Sequence, residues 1–343
     1  MSTRLKLSRS QILAFRRAVS SLNQRLPHSN ESLRRAAWAG LQDSVPRAAL
    51  LSLHARVREI TPTHWEHKSL VQLWGPRHNV YVISAEDIPI FTLGRLPATG
   101  SRFTRAQTTA TRLHAILQDQ DHNARPQPFA HAARAMGVPH NSLRYAAPTG
   151  TVLIRWDGAR QPHIWTIPAP TLAPQQARLE LARRYLYIFG PSTVASFTKW
   201  AGILPAEAKS AFADLTPELI PVQTPIGEAH ILAKDESTFR ADTVPAASAR
   251  LLPSGDSFYL LWSSDRELLV PDAKHRAQLW TTRVWPGALL VNGEITGTWS
   301  RSAHKITLNP WRRFTKSERE AVEQEAQTLP LPDLTTPIQM QWT

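Results

Sequence analysis

The stretch "AGLQDSVPRAAL" sets a carboxamide, a carboxylate and a hydroxyl in consecutive positions, Gln42, Asp43 and Ser44, between two apolar helical runs. An amide oxygen can accept a hydrogen bond from a water while its NH2 donates to another oxygen, and neither role needs a shifted pKa. A carboxylate beside it serves as a base only if the local turn rotates it into the same cavity. Two uses of the three residues compete. In the first, Gln42 aims a water, Ser44 helps to hold it, and Asp43 ranks third. In the second, Ser44 or Asp43 caps a helix that begins near Pro46, because proline is tolerated in a first turn and a cap oxygen satisfies an orphan N–H. Gln42 is then a solvated turn residue.

The chain that must position these residues has 343 of them, with 40 Lys and Arg against 27 Asp and Glu, a formal charge of +13. That length predicts two or three units, each with its own core. The charge points to a polyanionic partner, nucleic acid first, and says nothing about fold. Residues 1–35 alone carry Arg4, Lys6, Arg9, Arg16, Arg17, Arg25, Arg34 and Arg35 against Glu31. Cysteine is absent, which excludes disulfides, iron–sulfur clusters and thiolate zinc sites. His64 and His67 form a lone His-x-x-His that nothing nearby completes, so no metal and no cofactor are expected. The start "MSTRLKLSRSQILAF" lacks a signal-peptide core, and no window approaches a membrane span. A soluble cytoplasmic protein, associated with the nucleoid, is expected.

Ile12, Phe15, Val19 and Leu22 recur at helical spacing with Arg16 and Arg17 outside the stripe, which predicts an amphipathic helix with a cationic back. Three later segments read alike: "LRRAAWAGLQDSVPRAALLSL", "FAHAARAMGVPHNSLRYAA" and "TVASFTKWAGILPAEAKSAFADL". Each is a short helix, a glycine (Gly40, Gly137, Gly202), an aliphatic residue and a second, Pro-containing helix start. The glycine lets the chain turn through positive φ. This is helix-turn-helix grammar. After each come two strands around a turn, with Asp157-Gly158 the clearest hairpin dipeptide. Helix-turn-helix plus hairpin is a winged helix. Arg77, His78 and Arg160 lie in the turns, where a wing meets phosphate; Trp74, Trp156 and Trp165 fall on strand faces expected to be buried. From about residue 236 the pattern becomes alternating strands with an Asn292-Gly293 turn, then a helix capped at Thr315 and an extended tail after Pro330.

The expected fold is therefore α+β: three tandem winged-helix units at 1–98, 99–172 and 173–235, and a C-terminal β-rich domain with a closing helix at 236–343. The expected contacts to DNA are Arg16, Arg17, Arg34, Arg35, Arg47, Arg77, His78, Arg144, Arg155 and Arg160.

The runs "AGLQDSVPRAALLSLHAR", "LVQLWGPRHNVYVISAEDIP", "RRYLYIFGPSTVASFTKWAG", "ARLLPSGDSFYLLWSSDR" and "ALLVNGEITGTW" resemble, collinearly over roughly residues 10–330, the winged-helix DNA glycosylases of the AlkZ/YcaQ type. The resemblance implies a concave basic scaffold that binds damaged double-stranded DNA as a monomer and excises alkylated bases, crosslinked adducts included, with a hairpin probing the minor groove. It places the family's Gln-x-Gln or Gln-x-Asp signature at "GLQDS". Gln42 matches the first position, Ser44 departs from the second, and Asp43 falls on the middle one. An N7- or N3-alkylated purine already carries positive charge, so such an enzyme has only to steady an oxocarbenium-like sugar and aim a water at C1′. Ser44 instead favours an alternative, a non-catalytic tandem winged-helix protein that senses damage or regulates. A transcription factor with a small-molecule sensor ranks third, because three units in one chain do not resemble a dimer on a palindrome.

Overall fold

The structure is a computed structural model and describes residues 5–118, 126–158, 161–241, 245–331 and 336–343. The chain opens with β1 (Leu5–Lys6) and α1 (Arg9–Val19), whose start is closed by a reciprocal Ser8/Gln11 capping box. Then follow α2 (Asn30–Ala36), β2 (Leu41–Gln42), α3 (Ala48–Arg56) and the hairpin β3 (Leu70–Trp74) and β4 (Val80–Ser84). Next come α4 (Ile88–Leu93), α5 (Gly100–Gln118), β5 (Gln127–Pro128) and α6 (Phe129–Met136). The expected second helix of this unit is a 3-10 segment, His140–Thr149, with Pro148 inside it. Proline lacks the N–H an α-helix requires at that point. The hairpin β6 (Val152–Arg155) and β7 (His163–Thr166) closes the unit. A third pass gives α7 (Pro174–Phe189), α8 (Val194–Ala201), α9 (Pro205–Asp214) and the hairpin β8 (Leu219–Thr224) and β9 (Gly227–Leu232).

The repeated glycines do what their spacing requires: Gly40, Gly137 and Gly202 have φ of 73, 64 and 70°. The repeats are nevertheless not separate bodies. The first two hairpins fuse into one six-stranded sheet of order β2-β4-β3-β6-β7-β5, joined where Gln72 pairs with Ile154. The N-terminal segment sits with the third pass, against the expected boundary at 98. β1 pairs in parallel with β8, and Phe15 stacks on Phe239 at 3.8 Å. One hydrophobic core accordingly runs from Ile12 and Phe15 through Leu181, Tyr185 and Trp200 to Phe258 and Leu261. Arg16 lies inside that core, so the expected cationic back of α1 is half missing.

The last part comprises α10 (Glu236–Arg240), β10 (Ala249–Leu252), α11 (Ser264–Leu269), α12 (Ala273–Leu279), β11 (Gly287–Val291), β12 (Glu294–Ser302), β13 (Lys305–Pro310), α13 (Lys316–Gln327) and β14 (Gln339–Trp342). Its sheet has the order β10-β11-β12-β13-β14, and α13 packs Val322 and Ala326 on Trp299 and Leu308. Asn292 and Gly293 both have positive φ, as a type I′ turn demands, and Thr315 shares a capping box with Glu318. Trp74 is buried as expected, whereas Trp165 is half-buried and Trp156, past the end of β6, is half-buried too. No helix among the described residues is long and apolar enough to cross a membrane.

Candidate functional site

Gln42 does not start a helix. It lies on β2, the edge strand of the six-stranded sheet, opposite Tyr81 on β4. Gly40 sets this up, because its φ is positive and a Cβ there would lie 2.9 Å from the Tyr81 ring. Alternation along an extended chain then assigns the faces. Leu41 points into the core beneath α2 and α3, and Asp43 points the same way. Gln42, half-buried, and Ser44, exposed, share the other face and line one cavity of about 310 Å³ with Arg77, Asn79, Trp262 and Arg283. A buried middle residue between two that face the cavity is what period-two geometry produces.

The Asp43 reading is corrected by its burial. The residue is 1% exposed; its carboxylate accepts the Ala49 N–H at 3.0 Å and the Gln72 amide at 2.6 Å. Gln72 is itself fixed by the backbone N–H and C=O of Trp156. Burial pushes the Asp43 carboxyl up to about 7, against the pull of these bonds and of Arg47. Asp43 therefore ties the start of α3 to β3 and the chain after β6, and it does not face the cavity. It also supplies the capping oxygen, from six residues upstream, while the N-cap position of α3 is Arg47 in a left-handed conformation. Ser44 caps nothing.

The Gln42 carboxamide is oriented from three sides. Arg77 donates to its Oε1 at 3.0 Å, and the buried Tyr81 hydroxyl approaches the same oxygen at 3.5 Å. Gly255 lies against Nε2, where a Cβ would come within 3.0 Å. Arg77 is held in turn by the Trp200 carbonyl at 3.1 Å and by the Trp262 ring at 4.3 Å. The Gly255 loop is anchored by Asp256, whose carboxylate receives both terminal nitrogens of buried Arg56 at 2.7 Å and the Ser52 hydroxyl at 2.7 Å. Residues 77, 81, 200, 255 and 262, remote from Gln42 in sequence, thus converge directly or through Arg77 on its amide.

Through Ser44 and Asn79 the cavity adjoins a second, lined by His78, Arg144, Phe129 and Trp156. Through His78 that one adjoins a third, lined by Arg95, Arg102, Arg105 and Tyr145. The trough carries six arginines and the carboxylate of Glu207. His78 is pushed down to about 3 by burial and by the neighbouring arginines, so it stays neutral. Burial likewise lowers Arg95 to about 9.

The expected DNA contacts divide accordingly. Arg77, His78 and Arg144 line the trough. Arg16 does not: it is 2% exposed and donates to the carbonyls of Phe189, Gly190 and Pro191 and to Asp265. Arg34 is engaged by Glu86 and Asp87. Arg17 donates to Asn23 and the Gly293 carbonyl, and Arg155 to the Trp65 carbonyl. Arg47 stacks on Trp65 at 4.1 Å, Arg35 is exposed, and Arg160 lies outside the described residues. Sequence reasoning missed Arg102, Arg105 and Arg283, although the i, i+3 spacing of the first two on one helix was a visible signal. His64 meets His28, with Nε2 atoms 2.7 Å apart, and no group of three or more metal-ligating side chains occurs among the described residues.

Residues 36–330 match the sequence profile of the family described as DNA glycosylase AlkZ-like. The chain belongs to the AlkZ-like DNA glycosylase family. An interstrand DNA cross-link repair glycosylase of Streptomyces sahachiroi is 26% identical over 157 residues, a stretch that covers 45% of this chain and 42% of that relative. The solved structure of the S. sahachiroi DNA glycosylase AlkZ superposes with a TM-score of 0.77 at 16% identity, covering 99% of this chain and 100% of that one. The mixed α+β architecture is thus shared over the full length.

Proposed function

We propose that the protein is a monofunctional DNA glycosylase that removes alkylated or crosslinked purines from double-stranded DNA, with Gln42 holding the hydrolytic water. The observation that carries this reading is a neutral carboxamide on the open face of β2, fixed by Arg77 at the end of a cationic trough. Arg77 donates to Oε1 at 3.0 Å while the Tyr81 hydroxyl reaches the same oxygen only at 3.5 Å, so in this reading the water donates to Oε1 in place of that long Tyr81 contact, and Nε2 keeps donors for a sugar or phosphate oxygen. Because the alkylated base leaves as a good leaving group, positioning and electrostatics suffice and no base of raised pKa is required. Ser44, on the same face, helps to hold the water in place of the family's longer residue. No lysine is among the described residues that line the cavity, which supports hydrolysis over Schiff-base lyase chemistry. In this reading the three helix pairs with hairpins are tandem winged helices that present the trough to duplex backbone, and residues 236–343 form the C-terminal β-rich unit.

The test is base release from duplexes containing N7-methylguanine or N3-methyladenine, and unhooking of a crosslinked duplex, by the parent protein and by Gln42→Ala. Release that falls at least about a hundredfold in the variant, with unchanged DNA affinity, is expected. Release that survives Gln42→Ala removes the assignment of that residue. The short Ser44 side chain favours the second reading, a DNA-binding protein without catalysis, and absence of release from every alkylated substrate by folded parent protein decides for it.

A further inference from the structure

Among the described residues Val284 is the large hydrophobic side chain left in solvent, 67% exposed. Its place is not random, since it lines the Gln42 cavity between Arg283 and Trp285. The sequence that carries it, "WTTRVWPG", packs its flanks and projects its middle. Trp280 donates to the Tyr259 carbonyl at 3.0 Å, and Trp285 packs against the Tyr259 ring at 6.2 Å with Arg266 over its face. Thr281 Oγ1 donates to the Val284 carbonyl at 3.0 Å, which closes the turn and fixes the direction of the projection. Pro286 and β11 follow at once, so the loop has little length in which to fold the valine back.

An enzyme that acts on a base within a duplex must bring its sugar to the catalytic group, and proteins that open a base step insert an apolar side chain into it. A β-branched residue is well suited, because its χ1 is already restricted and little rotamer freedom is lost on insertion. Arg283 beside it is exposed and without a carboxylate partner in the cavity, so it can meet the phosphate next to the opened step.

We propose that Val284 is the wedge that enters the base stack at the lesion and delivers the damaged nucleotide to Gln42. The proposal rests on the glycosylase reading for its purpose, but its direct readout does not need catalysis. A duplex carrying 2-aminopurine next to the alkylated nucleotide brightens when the step is unstacked. The parent protein is expected to raise that fluorescence on binding, and Val284→Ala to lose most of the rise while binding the duplex. Val284→Leu, which keeps an apolar projection, is expected to retain it. Base release from the paired lesion falls about tenfold in Val284→Ala, as the burial lost with two methyl groups implies, and largely recovers when the lesion is presented opposite an abasic site, where no base pair has to be broken and the step opens more easily. Equal fluorescence with parent and Val284→Ala overturns the proposal. So does a release defect of the same size on paired and unpaired lesions, which marks a structural role. If no substrate is ever released, the fluorescence arm still decides the wedge, and the failure belongs to the catalytic reading instead.

Discussion

Asp43→Asn separates a structural carboxylate from a catalytic one. In the folded chain burial raises this group from 3.8 to about 7. A shift of about 3 pKa units corresponds to something on the order of 4 kcal/mol. Between the two values the folded state binds the proton that the unfolded state has released, so the contribution is complete below the unfolded pKa and is lost as pH rises through about 7. Asn does not titrate. It keeps an oxygen for the Ala49 N–H, but its NH2 faces Gln72 Nε2, which Trp156 holds in place. Two facing donors in a buried site cost about 1–3 kcal/mol. Asp43→Asn is therefore expected to be less stable than the parent at pH 5, with a deficit that shrinks or reverses by pH 8.5. Buried His54 and half-buried His78, both lowered to about 3, act the other way. They stay neutral when folded and take up protons when unfolded below about 6.5, so their contribution is lost as pH falls. The difference between the two proteins cancels them. Urea unfolding followed by tryptophan fluorescence at the two pH values, beside single-turnover base release, is the assay. A deficit of equal size at both pH values would falsify the raised carboxyl, and a hundredfold loss of release without loss of stability would restore Asp43 to the chemistry.

The remaining expectations concern the parts that hold Gln42 and the charges around it. Arg77→Met removes the charge-assisted bond to Oε1, worth about 1.5–3 kcal/mol, and is expected to slow single-turnover release about tenfold to a hundredfold while circular dichroism stays unchanged. Asp256→Asn breaks the buried pair with Arg56 that anchors the Gly255 loop; a loss of about 3–5 kcal/mol in urea unfolding is expected, and a loss under 1 kcal/mol refutes the anchoring role. Arg16→Met, which leaves Asp265 without its guanidinium, is expected to lower the unfolding midpoint and leave the slope of log affinity against log salt unchanged. Arg105→Ala, on the exposed wall of the trough, is expected to lower that slope by about 0.9 with little effect on unfolding, and an unchanged slope removes Arg105 from the DNA interface.

The sequence by itself determined the local grammar. Gly40, Gly137 and Gly202 turn where a Cβ is disfavoured, Asn292-Gly293 makes its hairpin, Thr315 caps its helix, and the charge excess names a polyanion, because each of these effects acts within a few residues or over the whole chain. The family likeness was also legible in collinear runs. The structure decided what lies between these scales. Whether residues 41–44 alternate as a strand or coil into a cap depends on Val80–Ser84 arriving beside them, and that pairing is what buries Asp43 and turns Gln42 and Ser44 to one side. The fate of each arginine was equally unreadable, since Arg16 and Arg77 have the same side chain and differ only in what the fold brings to them: main-chain carbonyls and a buried carboxylate for one, an amide on an open cavity for the other. Burial and long-range partners are properties of the packed chain, and they set the electrostatics on which any chemistry at Gln42 depends.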